Sequence, residues 1–265
     1  MMSARAISAG FKQQAVQFFA DPQWIIPSLI SPFLLSMVMI FLSSGGTSIE
    51  GPLVLQAVLG GGVLGMWANS LFSSSTSVSF DRINGTFEPM LGSGTRIIYV
   101  LIGRSLWSTL IGLLNAFIVF AIAEVMFGAG LNVQNPILFF LALLMAMLSL
   151  SSVGLLISTL FVLTRKGGTV SSVLEYPIYV MSGALVPISM LPQWMQSVSL
   201  VLAPTWGVDA IKYSALEGYE GMLGMSFITD VLMCLAFSII FIVSAYVVML
   251  YVERKVLRDG TATRY

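Results

Sequence analysis

Long stretches without a charged side chain are the feature that most restricts how this chain can fold. No Asp, Glu, Lys or Arg occurs between Asp21 and Glu50, between Glu50 and Asp81, or between Glu124 and Arg165. Charged residues make up only 9% of the sequence, against about 25% in soluble proteins. Because a soluble domain with so few charges would expose large apolar patches, the sequence predicts an integral membrane protein.

Six segments are apolar and long enough to predict membrane-spanning helices, which need about 20 residues. With six spans and both termini in the cytoplasm, Lys212 is the single basic residue among 12 that falls outside, as expected from the positive-inside rule. The fold class is therefore an all-α membrane protein with one transmembrane domain over residues 1–265. The predicted spans are residues 24–42, 53–72, 105–123, 137–163, 168–186 and 231–252.

The segment before the first span predicts an amphipathic helix that lies in the cytoplasmic interface. Apolar residues recur in it at three- and four-residue steps, with polar residues between them. A short, partly disordered tail is the alternative interpretation. The apolar positions are Ile7, Phe11, Ala15, Phe18 and Phe19, and the polar ones are Lys12, Gln13, Gln14 and Gln17.

The residue content excludes several kinds of chemistry. There is no histidine, and Cys234 is the single cysteine, so imidazole catalysis, His-ligated metals and an intrachain disulfide are not available. No basic tract suggests nucleic-acid binding. No G-x-x-x-x-G-K-[ST] phosphate loop occurs. We therefore expect a chain without a cofactor or catalytic residues of its own.

The loop predicted between spans two and three begins with charged residues and continues into a short helix. Asp81 is expected either to cap this helix or to pair with Arg82. Gly85 and Thr86 predict a turn, with Thr86 as the helix N-cap. Glu88 then lies in the first turn, where a carboxylate suits the positive end of the helix dipole.

The same loop helix carries an apolar patch, formed by Phe87, Met90 and Leu91 at helical spacing. A short helix with an apolar face and charged flanks suits docking into a groove on another protein. Contact with the membrane, or with the chain's own helices, accounts for the spacing equally well.

A second informative segment follows the predicted fifth span, beginning near Pro187. Residues 195–203 are apolar but too short to cross a bilayer, and they lie between Pro192 and Pro204. This pattern predicts a re-entrant or interfacial helix pair.

Two tryptophans and two charged residues complete this hairpin. Trp194 and Trp206 are expected to anchor it in the membrane interface. Asp209 and Lys212 lie three residues apart, a spacing that allows them to pair on one helix face.

Together these two segments resemble permease subunits of type-2 ABC exporters, the ABC-2-type transporter family. Six spans, an interfacial N-terminal helix and cytoplasmic termini extend the resemblance over nearly the whole chain. It departs from the family at Asp81, where a glutamate is more usual, and at Pro89, which follows Glu88 directly. The matching residues are Asp81, Arg82, Gly85, Thr86, Phe87, Glu88 and Leu91 in the loop, and Ser182, Gly183, Pro187, Leu191, Pro192, Trp194, Pro204, Thr205, Asp209, Ala210, Ile211 and Lys212 in the hairpin.

The resemblance implies a permease that pairs with a second permease chain, identical or related, in a lipid membrane. Separate nucleotide-binding subunits would hold ATP and Mg and dock beneath it, and the loop of residues 81–91 would be the coupling helix. It also implies a prokaryotic cell membrane. The alternative from the residues is an ion- or proton-coupled secondary transporter, which should show ionisable residues at the midplane or an internal repeat.

Three polar residues inside the predicted spans are candidates for a translocation path or gate. Glu175 lies inside the fifth span, where a carboxylate is costly and suggests function. Pairing with Arg165, Lys166 or Arg104 near the cytoplasmic end is the equal alternative. Asn69 and Asn115 are candidates for facing a central path.

Overall fold

The computed structural model describes residues 2–20, 30, 33–34, 37–38, 55–67, 81, 84–92, 96–127, 133–161, 177–184 and 186–259. These residues are helical or lie in turns and contain no strand, which confirms the all-α class for this part of the chain. A further helical turn covers residues 177–181. The helices are α1 (Met2–Ala20), α2 (Leu55–Trp67), α3 (Phe87–Gly92), α4 (Ile97–Phe127), α5 (Pro136–Phe161), α6 (Gln193–Val201), α7 (Ala203–Ala215) and α8 (Phe227–Asp259).

Three of the described helices are long and apolar enough to cross a bilayer: α4, α5 and α8. They correspond to the predicted third, fourth and sixth spans. The predicted second span overlaps α2, and the fifth overlaps residues 177–181, whereas most of the first lies outside the described residues. The helix that contains the predicted third span is longer than the span, because α4 begins at Ile97. Arg104 therefore lies within the helix and does not mark its end.

The N-terminal helix is present, but its packed face differs from the predicted apolar stripe. α1 packs along the first half of α4, and its most buried positions are Ala6, Gly10 and Gln14. Phe19, part of the predicted apolar stripe, is 65% exposed. The difference follows from close backbone contact, which favours small residues at a helix crossing over the largest apolar ones.

Two glycines permit this crossing of α1 and α4. A Cβ added to Gly10 would clash with the Val100 carbonyl. A Cβ added to Gly103 would clash with the Ile7 carbonyl and lie 2.8 Å from the Phe11 nitrogen. Neither position tolerates a side chain unless the helices separate.

The centre of the structure is α5, against which α4, α7 and α8 pack. Serine hydroxyls on this helix bond back to carbonyls three residues earlier, as Ser149 does to Ala146. A Cβ on Gly207 of α7 would lie 2.7 Å from the Ala146 Cα, so these helices also meet backbone to backbone. Small residues on α5 and α7 thus permit close packing within the chain.

The spanning helices define two ends of the structure. The start of α4 and the ends of α5 and α8 share one apolar cluster, and α1 lies at the same end, which we name the α1 end. At the other end, backbone amides just before α5 bond to the last residues of α7, as Asn135 does to Ser214. This second end carries α6 and α7 and is named the hairpin end.

The predicted helix pair at the hairpin end is present as α6 and α7. Pro192 is the N-cap residue of α6. Leu202 has an extended backbone and separates α6 from α7, which starts at Ala203. Pro204 lies in the first turn of α7, where its missing N–H leaves no helical bond unmade. The expectation that both tryptophans are interfacial anchors was wrong for Trp206, which is 2% exposed and donates to the Leu200 carbonyl at 3.0 Å. Trp194 is 68% exposed.

Candidate functional site

The charged loop is attached to α4 by a buried ion pair. A guanidinium nitrogen of Arg104 lies 2.7 Å from a carboxylate oxygen of Asp81, and both side chains are at most 3% exposed. In the described part of the chain, Nε and Nη2 of Arg104 have no hydrogen-bond partner. Because an uncompensated buried charge is costly, Asp81 is the group that makes this arginine tolerable inside α4.

Asp81 also receives hydrogen bonds from two other elements. The Gln13 side chain of α1 donates to its carboxylate at 3.2 Å. The Thr86 hydroxyl is 3.3 Å from the same carboxylate oxygen and 3.2 Å from the Asp81 carbonyl. One side chain therefore connects α1, the residues before α3, and α4, and we name these four residues (Gln13, Asp81, Thr86 and Arg104) the Asp81 network.

The turn between Asp81 and α3 has the geometry that its sequence predicts. Gly85 has φ +66°, a left-handed conformation that favours glycine. Thr86 precedes the helix, and its carbonyl accepts from the Met90 amide at 3.2 Å. Its hydroxyl, however, turns back to Asp81. The Thr86 side chain thus bonds to Asp81 and links the start of α3 to the residues before it.

The surface of this loop is open to a partner. Residues 84–86, 89 and 92 are exposed, and Met90 is half-buried. Phe87, Glu88 and Leu91 lie in α3 by their backbone. Asp81 was expected to cap the helix or to pair with Arg82. The structure shows that its ion-pair partner is Arg104, and Arg82 lies outside the described residues.

The α1 end is further fixed by contacts between α8 and the start of α4. The Glu253 carboxylate accepts a hydrogen bond from the first helical amide, that of Ile97, at 2.8 Å. The neighbouring Arg96 donates to the Tyr246 hydroxyl at 2.6 Å. A carboxylate at this position satisfies a free helix amide and suits the helix dipole, so α8 caps α4 close to the Asp81 network.

The candidate path residues are not brought together in the described part of the chain. Asn115 is 2% exposed inside α4. Asn69 and Glu175 lie outside the described residues. Their predicted roles in a path or gate stay predictions.

At the hairpin end, Asp209 and Lys212 bind separate partners. The Asp209 carboxylate accepts from the Tyr219 hydroxyl at 2.6 Å and from the Met222 amide at 2.7 Å. The Lys212 ammonium donates to the Gly183 carbonyl at 2.6 Å. These bonds tie α7 to the segments before and after it.

Both residues line a cavity of about 280 Å³, here named the hairpin cavity. Burial lowers the pKa of Lys212 to about 8, against the opposing effect of Asp209. Burial, together with the hydrogen bond to Asp209, raises the pKa of Tyr219 above its ordinary range. The cavity wall therefore carries the Lys212 ammonium, whose burial is only partly offset by the charge of Asp209. The Asp209 carboxylate beside it already accepts two hydrogen bonds.

Sequence reasoning missed Arg104, Gln13 and Tyr219 as partners at these sites. For Arg104 a signal was present, because an arginine flanked by apolar residues inside a spanning helix needs a buried partner. Gln13 was assigned to the solvated face of α1, and Tyr219 carried no spacing signal. Their contacts join segments far apart in the chain, which local spacing does not indicate.

Taken together, the geometry defines an all-helical, multi-pass membrane protein whose polar loop is anchored at one end of its spanning helices. The family model of ABC-2 type transporters matches residues 5–216, from α1 to the residue after α7. The chain therefore belongs to the ABC-2 type transporter family, as a transmembrane permease component. No match was found among curated proteins.

Proposed function

We propose that this chain is the permease subunit of an ABC exporter and that separate nucleotide-binding subunits hydrolyse ATP for it. Two permease chains, identical or related, would form the translocation path in the cell membrane. The α1 end would face the cytoplasm, where α3 and the loop before it meet the ATPase. Family membership and the exposed loop support this assignment.

The observation that carries the proposal is the attachment of that loop to the spanning helices through Asp81. A partner that pushes on α3 displaces Thr86 and Asp81, and the buried bond to Arg104 passes the displacement to α4. The bond to Gln13 passes it to α1 at the same time. The Asp81–Arg104 contact, at 2.7 Å, has the short distance of a strong charge-assisted bond, and it is the firmest link between the loop and α4.

Co-purification tests the docking step. A tagged chain expressed in its own cell should bring down an ATPase subunit, and Glu88→Lys on α3 should reduce the amount recovered. Glu217→Lys, the same charge reversal on an exposed residue of the hairpin end, is the matched control and should leave the amount unchanged. Equal loss with both variants, or no ATPase with the wild-type chain, contradicts the proposal.

A second measurement separates docking from transmission. Asp81→Asn should keep the ATPase bound but weaken the dependence of ATP hydrolysis on the permease in reconstituted vesicles. If the chain were instead an ion- or proton-coupled carrier, it would transport substrate without any ATPase. If the purified chain moves substrate along an ion gradient with no ATPase present, the exporter assignment fails.

A further inference from the structure

The hairpin cavity combines opposite charges in a small space. Its walls come from residues 182–183 and 187–189, from α6 and α7, and from residues 219 and 221–222. A volume of about 280 Å³ lies just below the range of about 300–1,000 Å³ that holds drug-sized ligands. The space therefore suits a small polar molecule or a headgroup.

One side of the cavity offers a cation with unused donors. Lys212 is 5% exposed, and its ammonium bonds to the Gly183 carbonyl. An ammonium carries three donors, so further bonds are available toward the cavity. Ser189 lines the same cavity and is exposed, which adds a hydroxyl donor. This side suits an anion with several acceptor oxygens.

The other side is negative. The Asp209 carboxylate accepts two hydrogen bonds, and a carboxylate has about four acceptor positions. Behind it, at the start of α8, the carboxyl group of Asp230 lies beside that of Asp209. Asp230 is fully buried. The charge that lines this side of the cavity is therefore that of the Asp209 carboxylate, which favours a cation.

We propose that the hairpin cavity binds a small zwitterionic group, with its phosphate at Lys212 and Ser189 and its ammonium at Asp209. Lysine recognises phosphate as a point charge, and the one-turn spacing of Asp209 and Lys212 on α7 presents both charges to the same space. A free solute and a lipid headgroup share this chemistry. The site is independent of any ATPase, since none of its residues belongs to the Asp81 network.

The test uses the full chain in nanodiscs of phosphatidylglycerol, with phosphoethanolamine as the probe in calorimetric titrations. We expect phosphoethanolamine to bind at least about tenfold more tightly than inorganic phosphate or ethanolamine, because only the zwitterion satisfies both charges. No binding, or phosphate binding as tightly as phosphoethanolamine, overturns the proposal.

Two variants assign binding to this cavity. Lys212→Met should weaken binding at least about tenfold, since it removes the charged partner of the phosphate. Lys12→Met, on an exposed position of α1, is the matched control. If Lys212→Met fails to fold, Ser189→Phe at the cavity wall should block the probe while leaving the two charges in place. Binding unchanged in whichever of the two variants folds contradicts the proposal.

The natural source of the group follows from a change of lipid. When half of the lipid is replaced by phosphatidylethanolamine, a headgroup site gives a weaker apparent affinity for the soluble probe, because the lipid competes. A site for a free solute gives the same affinity in both lipids. Either result supports the site and identifies its source.

Discussion

Asp81 and Arg104 form a buried ion pair with a 2.7 Å contact between a carboxylate oxygen and a guanidinium nitrogen. The pair joins a surface loop to the interior of α4, and each residue explains the presence of the other. Arg104 would be an uncompensated charge inside an apolar helix without Asp81. Asp81 in turn would have no reason to be buried without Arg104. The pair therefore attaches the loop firmly to the spanning helix α4.

Removing one member of this pair should cost more stability than removing both. Asp81→Asn leaves the Arg104 charge buried, and losing one partner of a buried pair costs about 3–5 kcal/mol. In Asp81→Leu with Arg104→Met the charge is also removed, and apolar replacements of a buried pair are often near neutral. Thermal unfolding of the single and double variants in detergent gives the comparison. A double variant that melts at or below the temperature of Asp81→Asn would mean that the pair is not coupled.

A methyl group at Gly103 should loosen α1 from α4. Its carbon would lie within contact distance of backbone atoms of Ile7 and Phe11, so the helices must shift, and overpacking costs about 1–3 kcal/mol. In Gly103→Ala, trypsin should cut faster at Arg5 and Lys12, which are exposed on α1. Gly92→Ala is the control, since a Cβ there meets nothing within 4 Å. Equal cleavage rates in both variants would show that the crossing is looser than the structure has it.

The cap between α8 and α4 should depend on the acceptor oxygen of Glu253. Glu253→Leu leaves the Ile97 amide without its partner, and losing a cap costs about 0.5–2 kcal/mol. Glu253→Gln keeps an acceptor and loses only the charge, which is worth about 0.3–1 kcal/mol near a helix terminus. Hydrogen exchange at the first turn of α4 should therefore rise in the order wild type, Gln, Leu. Gln and Leu variants that exchange at the same rate would contradict a hydrogen-bonded cap.

The sequence predicted what depends on composition and local spacing. Uncharged stretches located α4, α5 and α8, and the prolines located the helix pair near Pro192 and Pro204. It did not predict the face by which α1 packs, because Gly10 and Gln14 are buried through backbone approach and not through hydrophobicity. Nor did it pair Asp81 with Arg104, since that contact depends on how the loop folds back over α4.

The stability of the hairpin end should change with pH through Lys212. Burial lowers its pKa from 10.5 to about 8, so between these values the unfolded chain binds more protons than the folded one, and this group makes stability rise with pH. Below about pH 8 both states hold the proton, and the contribution is a constant cost. Between pH 7 and 10 the melting temperature of the wild type should therefore rise relative to that of Lys212→Met. The expected rise is about 2–4 °C for each kcal/mol gained in the free energy of unfolding. Tyr219 opposes this trend only above its ordinary pKa of 10.0, and it is present in both proteins. A melting-temperature difference that stays flat or shrinks across this range would show that the Lys212 ammonium is fully compensated in the folded chain.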